Sequence, residues 1–324
     1  MLVQKETATT LGSGKKKTIV FEDGQHWLES IFYPMEECPA SSLNIIGKPL
    51  IVYNIEKLLL EHKQIDHIML PEGFSHTVDI IQDNFPFIQI DEYKNSSVLT
   101  QDEAITVPLN SVVIKLKPNN HIIRFLVYPW DILKAMHDIL DVEVTETIVS
   151  KNASVAESSI VKGPCIIEEG VIIDDFTKII GPTYIAKNSR VGTGNLVRNC
   201  MIGKDSSIGF GCEVGRTFLA GKDIISHHNV ILDSIIGYDN WFGGFVGTTN
   251  VLLNKETVKY RLDNMLVSTG LTHFGSVIGH SCAIGAGVII LPGRFVPPNS
   301  IIQAGTVFSK SAEISSSPKS ISQS

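Results

Sequence analysis

The sequence predicts an α/β unit at the N-terminus followed by a parallel β-helix in the C-terminal half. Two observations carry this prediction. Branched aliphatic residues recur every six positions after residue 155, and strand-like and helix-like segments alternate before that point. The composition agrees, because a chain of 324 residues with 43% hydrophobic but only 7% aromatic residues, and with 26 glycines, suits short strands and tight turns.

The period of six is the strongest pattern in the chain. Its anchors are Val155, Val161, Ile167, Ile173, Ile179, Ile185, Val191, Val197, then, after slips, Ile202, Ile208, Val214, Ile224, Val230, Ile236, Ile278, Ile284, Ile290, Val296 and Ile302. Small residues follow many anchors four positions later, where a coil would turn. Neither an α-helix nor an alternating strand has this period, but the hexapeptide repeat of a parallel β-helix does. We assign residues 144–310 to this domain.

Before the repeat, apolar strand-like segments alternate with helical ones. The predicted strands are 18–21, 67–70, 87–90, 112–116 and 124–127, the predicted helices are 51–61 and 130–140, and 94–102 is a predicted loop. Such alternation favours an α/β unit with a partly parallel sheet, here residues 18–143. Residues 1–17 are expected to be flexible, and the Ser-rich tail 311–324 is expected to be disordered.

Charge and cysteine content exclude several classes of function. The 27 basic and 34 acidic residues give a net charge of −7, which disfavours nucleic acid and anionic membranes as partners. No apolar run is long enough to span a bilayer and the first residues lack a signal sequence, so we expect a cytoplasmic protein. The five cysteines are scattered without a C-x-x-C pair, which predicts structural thiols and no metal site.

Segments of the first unit resemble sugar-phosphate nucleotidyltransferases. Residues 33–35 (YPM), Pro39 and 43–53 (LNIIGKPLIVY) are similar to the family segment P-L-T…P-K-x-L-x-P-V-x-G-K-P-L-I-x-Y. Residues 128–133 (YPWDIL), followed by the repeat, resemble the junction in archaeal bifunctional sugar-1-phosphate nucleotidyltransferase/acetyltransferases, relatives of the bacterial enzyme that makes UDP-N-acetylglucosamine. This resemblance implies that the β-helix is left-handed and that the protein forms a homotrimer.

The first unit departs from that family where nucleotide phosphates would bind. The family has a glycine-rich G-x-G-T-R-L turn after its first strand, whereas here Glu22 and Asp23 follow that strand. Ile31 stands near the place of the arginine, and Ala40 replaces the lysine of the P-K motif. Acidic groups there repel phosphates unless a metal intervenes. We therefore predict a truncated, degenerate and non-catalytic nucleotidyltransferase-like domain, which would need Mg²⁺ only if nucleotidyl transfer survives.

The repeat half carries motifs of the same family's acetyltransferase domain. Residues 226–237 (SHHNVILDSIIG) resemble P-H-L-x-Y-x-G-D-S-x-I-G, which aligns His227 with the family's catalytic histidine. Residues 247–259 (GTTNVLLNKETVK) are similar to G-x-x-x-A-N-L-R-x-D-K-x-x-V-K. The resemblance implies an acetyl-CoA-dependent acyltransferase acting on an amino-sugar phosphate or related nucleotide-sugar precursor.

Acyl transfer from a thioester needs a base for the acceptor's proton, and histidine titrates in the right range. We therefore expect His227 to be the base and Asn250 to orient the sugar. The predicted site residues are His227 and Asn250 as catalytic, His228, Lys255 and Lys259 as substrate-binding, and Gly275, Ser276, Ala283 and Arg294 as cofactor-binding. The break in the repeat over 247–274 is predicted to be a loop that extends over a neighbouring subunit.

Four departures from the acetyltransferase motifs keep other functions open. Val230, Leu252 and Asn254 replace a tyrosine, an arginine and an aspartate of the motifs, and Trp241 replaces an asparagine of the bacterial enzyme. One alternative is a non-catalytic scaffolding or regulatory paralogue of a sugar-nucleotide enzyme. Another is a sugar-1-phosphate nucleotidyltransferase.

Overall fold

The computed structural model describes residues 17–22, 43–62, 65–94, 104–117, 120–262, 265–310 and 320–321. Within these ranges an α/β unit precedes a parallel β-helix, so the predicted fold class is confirmed. Residues 1–16, the motif residues 33–35 and Pro39, the segment 95–103 and most of the Ser-rich tail lie outside the described residues. Ser320–Ile321 forms a strand beside Ile301–Ile302, which differs from the disordered tail expected there.

A four-stranded parallel sheet forms the centre of the first unit. The elements are β1 (Lys17–Glu22), β2 (Asn44–Ile45), β3 (Lys48–Pro49), α1 (Leu50–Glu61), β4 (Ile65–Pro71), α2 (Ser75–Asn84), β5 (Gln89–Tyr93), β6 (Ala104–Pro108), β7 (Ser111–Lys117), β8 (Asn120–Phe125) and α3 (Asp131–Glu143). The sheet order is β5-β4-β1-β6, and β7 and β8 pair separately as an antiparallel ribbon. Sequence patterns missed α2 and β6; α2 buries only Thr77 and Ile81, so its apolar periodicity is weak.

Three parallel sheets form the faces of the β-helix, which we number in the order in which each coil visits them. Face 1 contains Ser154–Val155, Ile172–Ile173, Arg190–Val191, Ser207–Ile208, Ile224–Ile225, Trp241–Phe242, Ala283–Ile284, Ile301–Ile302 and Ser320–Ile321. Face 2 contains Ile160–Lys162, Lys178–Ile180, Leu196–Arg198, Glu213–Gly215, Val230–Leu232, Gly247–Thr248, Ile289–Ile290 and Val307–Phe308. Face 3 contains Ile148–Val149, Cys165–Ile167, Thr183–Ile185, Met201–Ile202, Phe218–Leu219, Ile235–Ile236, Ser276–Ile278 and Arg294–Val296.

The predicted anchors point into the prism except in one coil, where the predicted register is wrong. Ile224 is 50% exposed and Val230 is 43% exposed, whereas Ile225 and Ile231 are buried inside the prism. The reason is a shorter coil: Ile202 pairs with Leu219 and Leu219 with Ile236, a step of 17 residues, whereas Ile167 and Ile185 are 18 apart. The corner between faces 2 and 3 is therefore one residue shorter. A strict period of six then selects residues that face solvent instead of the interior of the prism.

A hydrophobic cluster joins the two halves of the chain. Trp130 lies against Tyr260 and Phe274, with ring centroids 5.5 and 6.3 Å apart, and both aromatic rings are buried. Tyr260 belongs to the first strand of a hairpin, Lys259–Leu262 and Met265–Ser268, inserted between faces 2 and 3. One side of this strand therefore packs back on its own chain, and the extension of residues 247–274 over a neighbouring subunit stays a prediction.

Polar side chains line the inner corners and bond to the backbone of the adjacent coil. Asn195 accepts the Cys212 N–H, and Asn240 accepts the Cys282 N–H. Asp223 occupies an equivalent place: it is fully buried and accepts the backbone N–H and the side-chain amide of Asn240, each at 3.1 Å. Burial raises the pKa of the Asp223 carboxyl well above its ordinary value, against the effect of these hydrogen bonds.

None of the helices in the described ranges is both long and apolar enough to cross a membrane.

We expect Asp223→Asn to raise the melting temperature at neutral pH. A carboxyl whose folded pKa is raised stabilises the fold fully only below its unfolded pKa, and this contribution is lost as pH rises from the ordinary value of 3.8 towards the folded value. Asparagine keeps the acceptor for Asn240 and has no charge to bury. Thermal unfolding from pH 4 to 8 should show a melting temperature that falls more steeply in the wild type than in the variant.

The matched control is Asp175→Asn, because Asp175 is exposed at a coil corner and its carboxylate accepts a serine hydroxyl. Its unfolding curve should follow the wild type at every pH. A melting temperature for Asp223→Asn that stays at or below the wild type across the range would contradict the assignment.

Candidate functional site

His227 and His228 lie at the corner between faces 1 and 2, exposed to solvent. Phe210 lies one coil before them and Phe245 one coil after, and both are exposed. We call these four residues the histidine corner. Their stacking follows from the coil length, since 17 residues separate Phe210 from His227 and His228 from Phe245. Sequence reasoning missed both phenylalanines, although a step of one coil from the histidines reaches them.

The His227 ring is fixed by a backbone hydrogen bond. The Phe210 N–H donates to His227 Nδ1 at 3.2 Å. The ring lies close to the coil before it, because a methyl group at Gly209 would lie 2.9 Å from Nδ1. Glycine at position 209 therefore makes room for this ring.

The His228 ring is fixed by aromatic contacts instead. It stacks on Phe245 at a centroid distance of 5.1 Å and an interplanar angle of 21°, and the Phe210 ring meets it edge-on at 5.0 Å. Gly211 leaves space below the ring, since a methyl group there would lie 2.8 Å from His228 Nδ1. Such pairs of rings are favourable in both stacked and edge-on geometry.

Apolar side chains flank the histidine corner on both adjoining faces. Ile224 and Trp241 are neighbouring residues on face 1, with Trp241 47% exposed, and Val230 follows the histidines on face 2. A corner is a convex edge of the prism, whereas ligand sites are concave. The histidine corner therefore becomes a pocket only when another surface lies against it.

The structure does not bring Asn250 to the histidine corner. Asn250 lies past the opposite edge of face 2, and its side-chain amide donates to Asp233 Oδ2 at 2.5 Å. Asp233 is buried and also receives two hydrogen bonds from Arg216, at 2.6 and 2.7 Å. This ion pair raises the pKa of the Arg216 guanidinium. Sequence reasoning missed the Arg216–Asp233 pair, which depends on two coils in register.

α3 brings a further histidine towards that ion pair. Burial lowers the pKa of His137, and the charges of Asp141 and Asp233 oppose that effect while Arg216 adds to it. His137 is therefore favoured in its neutral form next to the Arg216–Asp233 pair. This electrostatic interaction links the first unit to the end of face 2 from which Asn250 projects.

The predicted phosphate-binding lysines lie on the inserted segment and point to solvent. Lys255 is exposed in a turn with φ 58°, and Lys259 and Arg261 are exposed on one side of the hairpin strand whose Tyr260 is buried. Arg294 lies near enough for the Arg261 charge to contribute to its lowered pKa, of which burial is the larger cause. We call Lys255, Lys259, Arg261 and Arg294 the cationic edge. Their positive charges, in a protein that is acidic as a whole, suit an anion.

The predicted cofactor-binding residues do not form one exposed surface. Gly275 and Ser276 are buried, and the Gly275 backbone N–H donates to the Asp233 carbonyl at 2.8 Å while its carbonyl accepts from Gly293 N–H at 2.6 Å. Ala283 belongs to face 1 and Arg294 to face 3. Gly275 and Ser276 are thus not exposed on the surface of one protomer, and their assignment to cofactor binding stays a prediction.

The described cysteines fit a structural role. Cys165, Cys200, Cys212 and Cys282 are buried free thiols. Burial raises the pKa of Cys165 to about 11 and that of Cys200 and Cys282 to about 12. Because the thiolate is the nucleophile, these groups are unreactive near neutral pH. Among the described residues, no cluster of three or more histidine, cysteine or acidic side chains could hold a metal ion.

A cavity of about 60 Å³ lies between the β2–β3 turn and face 3, away from the histidine corner and from the exposed lysines of the inserted segment. Gly47 closes it against Tyr184, since a methyl group at Gly47 would lie 2.3 Å from the tyrosine hydroxyl. Lys187 and Lys204 line its edge.

The fold and the repeat define a hexapeptide-repeat β-helix protein, and comparison with known sequences narrows the class. The chain is 26% identical over 161 residues to YaiX of Escherichia coli K12, an uncharacterised acetyltransferase, covering 50% of this chain and 63% of that protein. It is 31% identical over 187 residues to the bifunctional protein GlmU of Methanococcus vannielii, covering 57% of this chain and 44% of that one. The predicted resemblance to the archaeal family is thus confirmed for the C-terminal half.

These relatives extend beyond the matched region, so the chain spans less than two thirds of the length of either. No family model matches the chain. Among solved structures, UDP-N-acetylglucosamine acyltransferase of Francisella novicida aligns with 48% of this chain and 56% of its own, at 17% identity and a TM-score of 0.39.

We expect Gly209→Ala to destabilise the histidine corner. A methyl group at this position would lie 2.4 Å from the Ser226 carbonyl oxygen, so two coils must move apart. Overpacking of this kind costs about 1–3 kcal/mol of unfolding free energy. Thermal or denaturant unfolding of the variant measures this loss.

Gly244→Ala is the matched control at the same corner, because a methyl group there meets nothing closer than the His227 carbonyl oxygen at 3.4 Å. Its unfolding free energy should stay within about 0.5 kcal/mol of the wild type. Equal effects of the two substitutions would contradict the close packing of His227 on Gly209.

Proposed function

We propose that the protein is an acetyl-CoA-dependent acyltransferase that acts on an amino-sugar phosphate or a related nucleotide-sugar precursor in the cytoplasm. The observation that carries this proposal is the histidine corner. It holds two exposed imidazoles between apolar side chains, on a hexapeptide β-helix whose sequence relatives include an uncharacterised acetyltransferase and GlmU. An imidazole at neutral pH can accept the proton of an attacking amine or hydroxyl.

The cationic edge supports an anionic ligand. Lys255, Lys259 and Arg261 are exposed there beside Arg294, and the described residues give none of the first three an ion-pair partner. Phosphate groups of acetyl-CoA or of the acceptor would neutralise these charges. Asn250 lies on the same side of face 2 and offers its side-chain oxygen, because Asp233 occupies its amide.

A homotrimer completes the proposed site. The histidine corner is convex in one protomer, and exposed apolar side chains extend from it along both adjoining faces. They are Ile172, Ile224, Trp241 and Ile301 on face 1, and Ile160, Val230 and Val307 on face 2. Contact of these rows with neighbouring copies would bury them and enclose His227 and His228 in a cleft between subunits, to which the cationic edge of another copy can contribute.

Acyl transfer is tested by free thiol release from acetyl-CoA with a panel of amino-sugar phosphates. We expect release that depends on the acceptor, and a fall of about 10²–10⁴-fold in kcat for the double variant His227→Ala/His228→Ala, which removes the base. His76→Ala is the control, because His76 lies on α2 of the first unit. Absence of release with every acceptor, or an unchanged rate in the double variant, would exclude acyl transfer at this corner.

Association is tested by sedimentation. The wild type should have three times the chain mass of 35.5 kDa. Ile224→Glu places a charge in the proposed contact and should shift the protein to monomers, with loss of activity if the site lies between subunits. Phe87→Glu introduces the same charge at a side chain 68% exposed on the first unit, and should leave the trimer intact. An Ile224→Glu protein of unchanged mass would rule out association through face 1.

A further inference from the structure

The two histidines of the corner differ in what their ring nitrogens contact. A backbone N–H can only donate, so the bond from Phe210 to His227 Nδ1 requires an unprotonated Nδ1. The neutral ring of His227 then carries its proton on Nε2. In this tautomer, His227 presents an N–H donor at the exposed corner.

This tautomer makes His227 unsuitable as a base. A base at Nε2 needs a lone pair there, so the ring proton would have to move to Nδ1. The Nδ1–H would then face the Phe210 N–H at the present 3.2 Å, with two donors in conflict and a hydrogen bond lost. Acceptance of a proton by Nδ1 would break the same bond.

His228 has the complementary environment. Contacts with the Phe210 and Phe245 rings fix its plane, and no group among the described residues hydrogen-bonds its ring nitrogens. Its ring is therefore held in place while a lone pair stays available.

We propose that the two histidines divide the chemistry: His227 is a neutral hydrogen-bond donor and His228 is the base. This proposal rests on the proposed acyl transfer. The acceptor's amine or hydroxyl attacks the thioester carbonyl carbon and gives its proton to His228, while the carbonyl oxygen takes negative charge and accepts a hydrogen bond from His227 Nε2. The C–S bond then breaks, the acyl bond to the acceptor remains, and the thiolate takes the proton from His228. A neutral imidazole serves as an electrophile in other enzymes.

The tautomer of His227 is measured without any assay of activity. The protein is labelled with ¹⁵N at histidine and studied by magic-angle-spinning NMR, and the His227 signals are assigned by their loss in His227→Gln. An unprotonated Nδ1 and a protonated Nε2 at neutral pH support the proposal. A protonated Nδ1 overturns it, whether or not acyl transfer is observed.

The division of roles is measured by conservative substitutions. Glutamine can donate a hydrogen bond from a position near Nε2 but cannot take a proton, so His227→Gln should keep kcat within about tenfold of the wild type, while His227→Ala should lose about 10²–10³-fold. His228→Gln should lose about 10²–10⁴-fold. Both side chains are exposed, and thermal unfolding should show that each variant folds as the wild type does.

The opposite pattern, with His227→Gln as inactive as His227→Ala and His228→Gln active, overturns the proposal while leaving acyl transfer standing. If the wild type releases no thiol with any acceptor, the proposed function fails and the division of roles with it, even where the tautomer is the expected one. The two failures are therefore distinguishable from one set of samples.

Discussion

The stacking of equivalent residues from coil to coil is the constraint on which the rest of this structure depends. Parallel backbone pairing holds Ile208, Ile225 and Phe242 in one column inside the prism, and the same register fixes what lies at every corner. In such a fold, each side chain must fit against its neighbours one coil away, which are 17 or 18 residues distant in sequence. The neighbour one coil away sets the environment of each side chain: Asn240 donates hydrogen bonds to Asp223, whereas an aromatic ring stacks on His228.

This constraint explains how much could be predicted from the sequence. The period of six reveals the prism because only compact aliphatic side chains fill its interior, and that requirement is local and repeated. The exposure of Ile224 could not be predicted in the same way, since a strict count of six does not register the corner that is one residue shorter. The motif placed His227 at a coil corner, but the hydrogen bond from Phe210 depends on the height of one coil over the next, which no local pattern encodes.

A large hydrophobic cluster couples the first unit to the β-helix, and its aromatic members include the contact between Trp130 and the inserted hairpin. Burial of Tyr260 against Trp130 decides which side of the hairpin strand faces water, and hence why Lys259 and Arg261 are both exposed. Sequence reasoning identified these cations as one cluster but could not orient them, because the alternation in a strand has two possible phases. The packing of Trp130, the residue that precedes α3, on Tyr260 selects one phase. A change in the first unit can therefore alter the cationic edge without any contact with a ligand.

The hydrogen bonds around Asn250 limit what it can recognise. Its amide N–H donates to Asp233, which also accepts two hydrogen bonds from Arg216, so Asn250 is held in one orientation. Among the described residues, no group donates to its side-chain oxygen. A group bound by that oxygen must be a donor, such as an amine, an amide N–H or a hydroxyl. Rotation of the amide would turn an oxygen towards the carboxylate, with two acceptors in conflict and a hydrogen bond to a charged group lost. The buried ion pair thus converts an adaptable side chain into an acceptor of fixed direction, which favours a ligand that carries an N–H or O–H next to its anionic group.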